Sequence, residues 1–175
     1  MANQDAAFGF RAVRHLSGGT PRTEEYVIAS GYTGVIYTGS PSALVAGGGV
    51  ELGAVGAVQM NGVFNGCFYT DPTTSKPTWK AYYPGSITAS DIVANVYADP
   101  QIIFEGQHDE TATVANNNNA NHDHVGTGGS TINGQSSAEI DTSTYTTTAT
   151  GTWTQIGASK DPDNSDLTAA NSNAY

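Results

Sequence analysis

The sequence predicts a mainly β fold, a small β-barrel or sandwich with an extended N-terminal arm and a long loop. Three observations predict it. Short apolar runs rich in Val, Ile, Tyr and Phe recur between about Glu25 and Gly106, too short for helices and of strand composition. Turn residues such as Asn61-Gly62 and Asp71-Pro72 separate them. Further on, Thr144, Thr146, Thr148, Thr150, Thr152 and Thr154 occupy every even position, the period of two that a strand imposes on its faces.

Residues 1–22 form the predicted arm. Phe8, Phe10, Val13 and Leu16 are scattered among Gly and Arg without a helical or alternating period. A segment this short exposes its apolar groups unless a partner covers them, so the arm is expected to bind a partner and to be dispensable for folding the body. Arg11, Arg14 and Arg22, with no lysine among them, suit docking onto carboxylates through paired hydrogen bonds.

Residues 23–106 form the predicted β body, with strands expected in 26–29, 34–37, 43–52, 54–60, 63–69, 79–83 and 101–104. Asn61-Gly62 predicts a type I′ hairpin. The run Gly47-Gly48-Gly49 predicts a bulge or bend that curls the sheet towards closure, and the stretch from Tyr69 to Trp79 a long exposed loop. Residues 90–98 are compatible with one short helix capped by Ser90.

Residues 107–134 contain Asn116 to Asn119, then Asn121-His122-Asp123-His124 and a Gly-rich stretch. This composition predicts a surface loop in which almost nothing is buried. Residues 135–175 are expected to hold one long Thr-rich strand, its aromatic odd face turned inward, and a weakly structured polar tail beyond Asp161-Pro162-Asp163.

Charge and cysteine exclude several functions. Charged residues are only 13% of the chain, and the net charge of −10 is uneven. Residues 1–80 hold five basic and five acidic side chains, whereas from Ala81 onward only Lys160 opposes eleven carboxylates. Such a half repels phosphate and anionic lipid, so neither nucleic acid nor membrane is expected as a partner. The single Cys67, in an apolar run, rules out an intrachain disulfide and reads as a buried small apolar residue. No apolar stretch of signal or membrane-spanning length is visible, and synthesis in a cytoplasm is expected.

The motifs of catalysis are missing. There is no Gly-x-Ser-x-Gly elbow, no phosphate loop, no His-Glu-x-x-His and no cysteine pair, so no enzyme and no cofactor is expected. His122 and His124 would share a face in a strand, but in a Gly/Asn loop they are not preorganised for a metal, and His108-Asp109-Glu110 is weaker still. The Thr row reads as a solvent-facing or intersubunit strand. Trp79, Tyr82 and Tyr83, with Tyr69, read first as core and rim packing and second as a sugar-binding cluster.

The opening Met1-Ala2-Asn3 and the run Ala7-Phe8-Gly9-Phe10-Arg11-Ala12-Val13-Arg14-His15-Leu16-Ser17-Gly18-Gly19 resemble the N-terminal signature of a family of small head structural proteins of tailed bacteriophages. Members of that family usually have Pro at the position of Ala12. The resemblance continues loosely through residues 26–105 and 152–164, including Asp161-Pro162-Asp163-Asn164, but only the N-terminal motif is specific. The family pattern runs on into a final apolar strand, where this sequence reads Asn-Ser-Asn-Ala-Tyr, which leaves barrel closure open. The resemblance implies a virion protein that decorates or cements the outer capsid surface. Its partners would be the major capsid protein and copies of itself, in a homo-oligomer such as a trimer. The capsid-interface residues would be Phe8, Phe10, Arg11, Val13, Arg14, His15 and Leu16. The alternatives are a head-fibre base or tail component and, third, a sugar-binding module.

Overall fold

The computed structural model describes residues 3–56, 60–112 and 119–175. The chain is all β; the described residues contain no helix, and their strands are numbered below in chain order. The largest sheet is antiparallel, in the order β2 (Glu24–Val27), β9 (Val93–Tyr97), β6 (Gly62–Thr70), β4 (Pro41–Leu44), β5 (Val50–Leu52), with β7 (Pro77–Lys80) also paired to β6. A second sheet runs β1 (Arg11–His15), β10 (Ile102–Gln107), β14 (Asn173–Ala174), and a third β12 (Glu139–Thr146), β11 (Ala120–Val125), β13 (Trp153–Gln155). A two-stranded pair joins β3 (Ile36–Tyr37) to β8 (Tyr82–Tyr83). The sheets stay open, so the fold is a sandwich-like stack and the barrel of the sequence reading does not close.

The central strand β6 shows how the sequence builds the core. Phe64, Cys67 and Tyr69 are all buried, although a spacing of three would put Phe64 and Cys67 on opposite faces of a regular strand. The register slips between them, Phe64 facing Val96 and Cys67 facing Ala94, and this bulge returns the apolar set to one face. Gly66 makes it possible. Its φ is +113°, and a Cβ there would lie 2.9 Å from the Trp79 ring and 3.0 Å from the Lys80 carbonyl oxygen. These side chains pack with Ile28, Ile36, Val50, Tyr83, Ile92, Ala94 and Val96 in the first of two cores. The second gathers Phe10, Val63, Ala138, Ile140 and Ala174, with Phe104 and Trp153 against it.

Several sequence expectations are corrected. The possible helix over 90–98 is β9, whose Ala94 and Val96 point inward between half-exposed neighbours. Its β-branched valines favour the sheet, and Asp91 accepts hydrogen bonds from the Thr70 backbone N–H (3.1 Å) and hydroxyl (2.6 Å) across it. Asn61-Gly62 closes no two-residue hairpin, because β4 lies between β5 and β6. Gly62 instead opens β6, where a Cβ would approach the Tyr97 carbonyl oxygen to 2.0 Å. Of the bulge or bend expected at Gly47–Gly49, the structure has the bend: residues 45–49 form the turn between β4 and β5, with Val45 N–H donating to the Gly49 carbonyl at 2.9 Å. The exposed loop expected over 69–79 is shorter, spanning 71–76, because Tyr69 is buried in β6 and Trp79 lies in β7; the Asp71 carboxylate caps Thr73 and Thr74 N–H at 2.8 and 2.9 Å. Of the 54–60 run, residues 57–59 lie outside the described residues and the remainder is not strand.

The larger corrections concern both ends of the chain and the stretch read as a loop. Within 107–134, Gln107, His108, Ala112, Ala120, His122 and His124 are buried, and β11 is the middle strand of its sheet. Residues 113–118, including most of the polyamide run, lie outside the described residues. The single Thr-rich strand is broken. β12 ends at Thr146, β13 starts at Trp153, and both flank β11. Small residues at Ala149 and Gly151 permit the turn, and Thr146, Thr148 and Thr150 link hydroxyl to hydroxyl through it at 2.8 and 2.9 Å. Tyr145, placed inward by the sequence reading, is 37% exposed.

The polar tail is part of the fold: Ser159, Asn164, Ser172, Asn173 and Ala174 are buried. Side-chain amides hold it. Gln107 Nε2 donates to the Gln4 and Asn171 carbonyls at 3.0 and 3.2 Å, and its Oε1 accepts from Ala6 N–H at 3.0 Å. Asn164 Nδ2 donates to the same Gln4 and Asn171 carbonyls at 2.8 and 2.7 Å. The beginning and the end of the chain are thus tied by neutral hydrogen-bonding groups, which satisfy buried backbone without charge.

Candidate functional site

The predicted interface residues fall on β1 and its flanks, where they separate into three groups. Phe10 is 4% exposed and belongs to the second core, so it is not available to a partner. Phe8 and His15 are half-buried. The Arg11 guanidinium lies 5.0 Å from the centre of the Phe8 ring. His15 Nδ1 accepts from Ser17 N–H at 3.2 Å, which leaves Nε2 to donate to Asp99 at 3.0 Å. Arg11, Val13, Arg14 and Leu16 are exposed.

The exposed four are held in place. Among the described residues β1 is an edge strand paired with β10 alone, with Arg11 opposite Glu105 and His15 opposite Ile102. Arg11 forms an ion pair with Glu105, whose side chain is buried and also accepts from the Ser159 hydroxyl. Arg14 makes no salt bridge among the described residues. The segment read as a loose arm therefore contains an integrated edge strand, with two basic and two apolar side chains exposed on it and just beyond it.

Beside it lies a cleft of about 440 Å³ that sequence reasoning missed. Tyr97 from β9, Phe104 from β10 and Trp153 from β13 line it, with Leu16 and Ile156 at the mouth. The rings are already set. Trp153 stacks on Phe10 with centroids 4.4 Å apart and meets the edge of Phe104 at 5.8 Å, while Tyr97 meets Phe104 at 6.4 Å. The only sequence signal was the presence of these aromatics, since three separate strands bring them together.

Other candidates are placed as follows. His122 and His124 share the inner face of β11, with His108 beside His122 at 6.1 Å between ring centres. His108 Nδ1 lies 3.0 Å from the Ser172 carbonyl and its Nε2 3.1 Å from Gln155 Oε1. Burial lowers the pKa of His108 and of His124. No three His, Cys, Asp or Glu side chains among the described residues are arranged to hold a metal ion. Cys67 is fully buried, which pushes its thiol up to about 12 and leaves no thiolate at neutral pH. Of the aromatic cluster, Tyr69 and Tyr83 are core, Tyr82 is half-buried and Trp79 is 60% exposed on the sheet's outer face. No helix among the described residues is long and apolar enough to cross a membrane.

Compared with protein-family models, with curated proteins and with solved structures, the chain finds no match in any of the three.

Proposed function

We propose that this chain is a non-catalytic structural protein of a tailed-phage virion that binds the outer face of the capsid and decorates or cements it. The observation that carries the reading is the edge strand β1. It exposes Arg11, Val13 and Arg14, with Leu16 just past its end, on an otherwise strongly acidic chain. An edge strand offers backbone hydrogen bonds to an added strand, and outward arginine favours an acidic partner surface such as the major capsid protein would present. The acidic residues from Ala81 onward suit a face turned to solvent and away from packaged DNA.

The test uses the double variant Val13→Asp with Arg14→Glu. Both positions are exposed, so melting should stay close to wild type, and coating of shells that lack the native protein should be lost. Full-strength coating by the folded variant would remove β1 from the interface. Copy number in purified virions separates this reading from a fibre-base or tail component, since hundreds of copies fit the shell and a handful fit the tail.

A further inference from the structure

The molecule carries an apolar knob and an apolar hole that do not meet within one copy. The knob is Ile132, which is 98% exposed. It stands at the tip of a turn closed by hydrogen bonds from Ser130 N–H to the Gln135 carbonyl and from Gly134 N–H to the Ser130 carbonyl, both 2.8 Å. The turn is itself fastened to the body, where Thr38 N–H donates to the Gly134 carbonyl at 2.9 Å. A large aliphatic side chain held out on a braced turn has already lost the backbone freedom that binding would otherwise cost.

The hole is the cleft lined by Tyr97, Phe104 and Trp153. Its volume of about 440 Å³ accommodates a branched aliphatic side chain with part of its turn, and two further large aliphatic groups, Leu16 at 67% and Ile156 at 46%, are exposed at its mouth. Charge selects the occupant. Copies with a net charge of −10 repel one another, but residues 126–135 carry no charged side chain. The one acidic side chain that lines the cleft among the described residues, Asp99, accepts from His15 Nε2 at 3.0 Å and keeps its charge, which an uncharged segment meets without repulsion. The knob is therefore a part of the surface that can approach another copy's cleft without like-charge repulsion.

We propose that Ile132 of one copy seats in the Trp153–Phe104 cleft of a second. Knob and hole are different surfaces, so the contact is heterologous and each copy can both give and receive. Such contacts close into rings or run on as chains. This goes beyond the proposed function and takes from that reading only its setting, because the test needs no capsid. A contact of this size is weak. It becomes effective where copies are held side by side at roughly millimolar local concentration.

The experiment is sedimentation equilibrium of the purified protein up to about 1 mM, the range that tethered copies reach. The wild type is expected to rise in average mass above the 18.1 kDa monomer, whereas Ile132→Asp and Ile156→Asp each remain monomeric with unchanged circular dichroism. Mixed together, the two variants should form a 1:1 pair and nothing larger, since one retains the hole and the other the knob. A wild type that stays monomeric throughout, an Ile132→Asp variant that associates like wild type, or folded variants that fail to pair on mixing would each overturn the proposal. Loss of capsid binding by the β1 variant with self-association intact, or the reverse, keeps the two readings apart.

Discussion

Replacing Phe10 by alanine tests whether the N-terminal segment is an appendage or part of the fold. Phe10 is 4% exposed, stacks on Trp153 at 4.4 Å and packs with Val63, Ala138, Ile140 and Ala174. Truncating a buried phenylalanine costs about 3–5 kcal/mol, part of it the roughly 0.5–1.5 kcal/mol of the stacked pair. For a chain of this size that lowers the melting temperature by about 6–20 °C. Val13, three residues along and 42% exposed, supplies the internal control, because Val13→Ala should cost only about 0.5 kcal/mol. Urea unfolding followed by far-UV circular dichroism reads both. A Phe10→Ala variant within about 1 kcal/mol of wild type would refute the integrated edge strand and restore the detachable arm. By the same reasoning a chain starting at Thr23 should melt well below wild type, since it loses Phe10 together with β1.

The pH dependence sets two groups against each other. His108 and His124 are held neutral by burial, so the unfolded chain binds more protons and the stability they contribute is lost as pH falls below about 6.5. Burial, with Asp5 and Asp109 nearby, pushes Glu139 up to about 7, so the stability its protonation contributes is present at low pH and lost as pH rises through that value. Glu139→Gln should therefore exceed wild type in urea midpoint at about pH 8 and lose stability more steeply between about pH 6.5 and 5; parallel curves would sink the assignment. Gly66→Ala should cost about 1–3 kcal/mol through contact with the Trp79 ring and the Lys80 carbonyl. Adding Trp79→Ala should relieve only the ring contribution, and strictly additive costs in the double-mutant cycle would show that the ring contact is not made.

How much of this was legible in the sequence depended on whether burial followed hydropathy. β6 and β9 are apolar, and the strand composition around them was visible even though the bulge at Gly66 was not. β1 went unread for a physical reason. Its register slips between Ala12 and Arg14, with Ala12 facing Phe104 and Arg14 facing Ile103, which erases the alternation that identifies a strand. β11 was hidden by its composition. Ala120-Asn121-His122-Asp123-His124-Val125 resembles a solvated loop, yet its histidines are buried because neighbours satisfy or enclose them, as the Asp141 carbonyl does 3.3 Å from His122 Nδ1. No local pattern announces a burial whose partners lie twenty residues away. The Thr row misled in the opposite sense, since a perfect alternation crossed a turn that the threonine hydroxyls themselves satisfy.

The integrated edge strand also changes how the proposed docking would operate. A loose strap carrying Phe8, Phe10, Arg11 and Arg14 must be ordered when it binds, at roughly 1–2 kcal/mol per residue of backbone, and its aromatic anchors would have to offset that. In the structure Phe10 has already been spent on the second core, and β1 is ordered by its ladder to β10 and by the Arg11–Glu105 ion pair. Less apolar surface remains to be buried on a partner, but little entropy is lost in presenting it. Binding of this kind is weak per site and rigid in direction. It gains strength when neighbouring copies are linked, and Ile132 with the Trp153 cleft supplies the geometry for such a link. In the proposed assembly the two surfaces would divide the work: β1 would set where a copy lies on its partner, and the knob and hole how the next copy lies beside it.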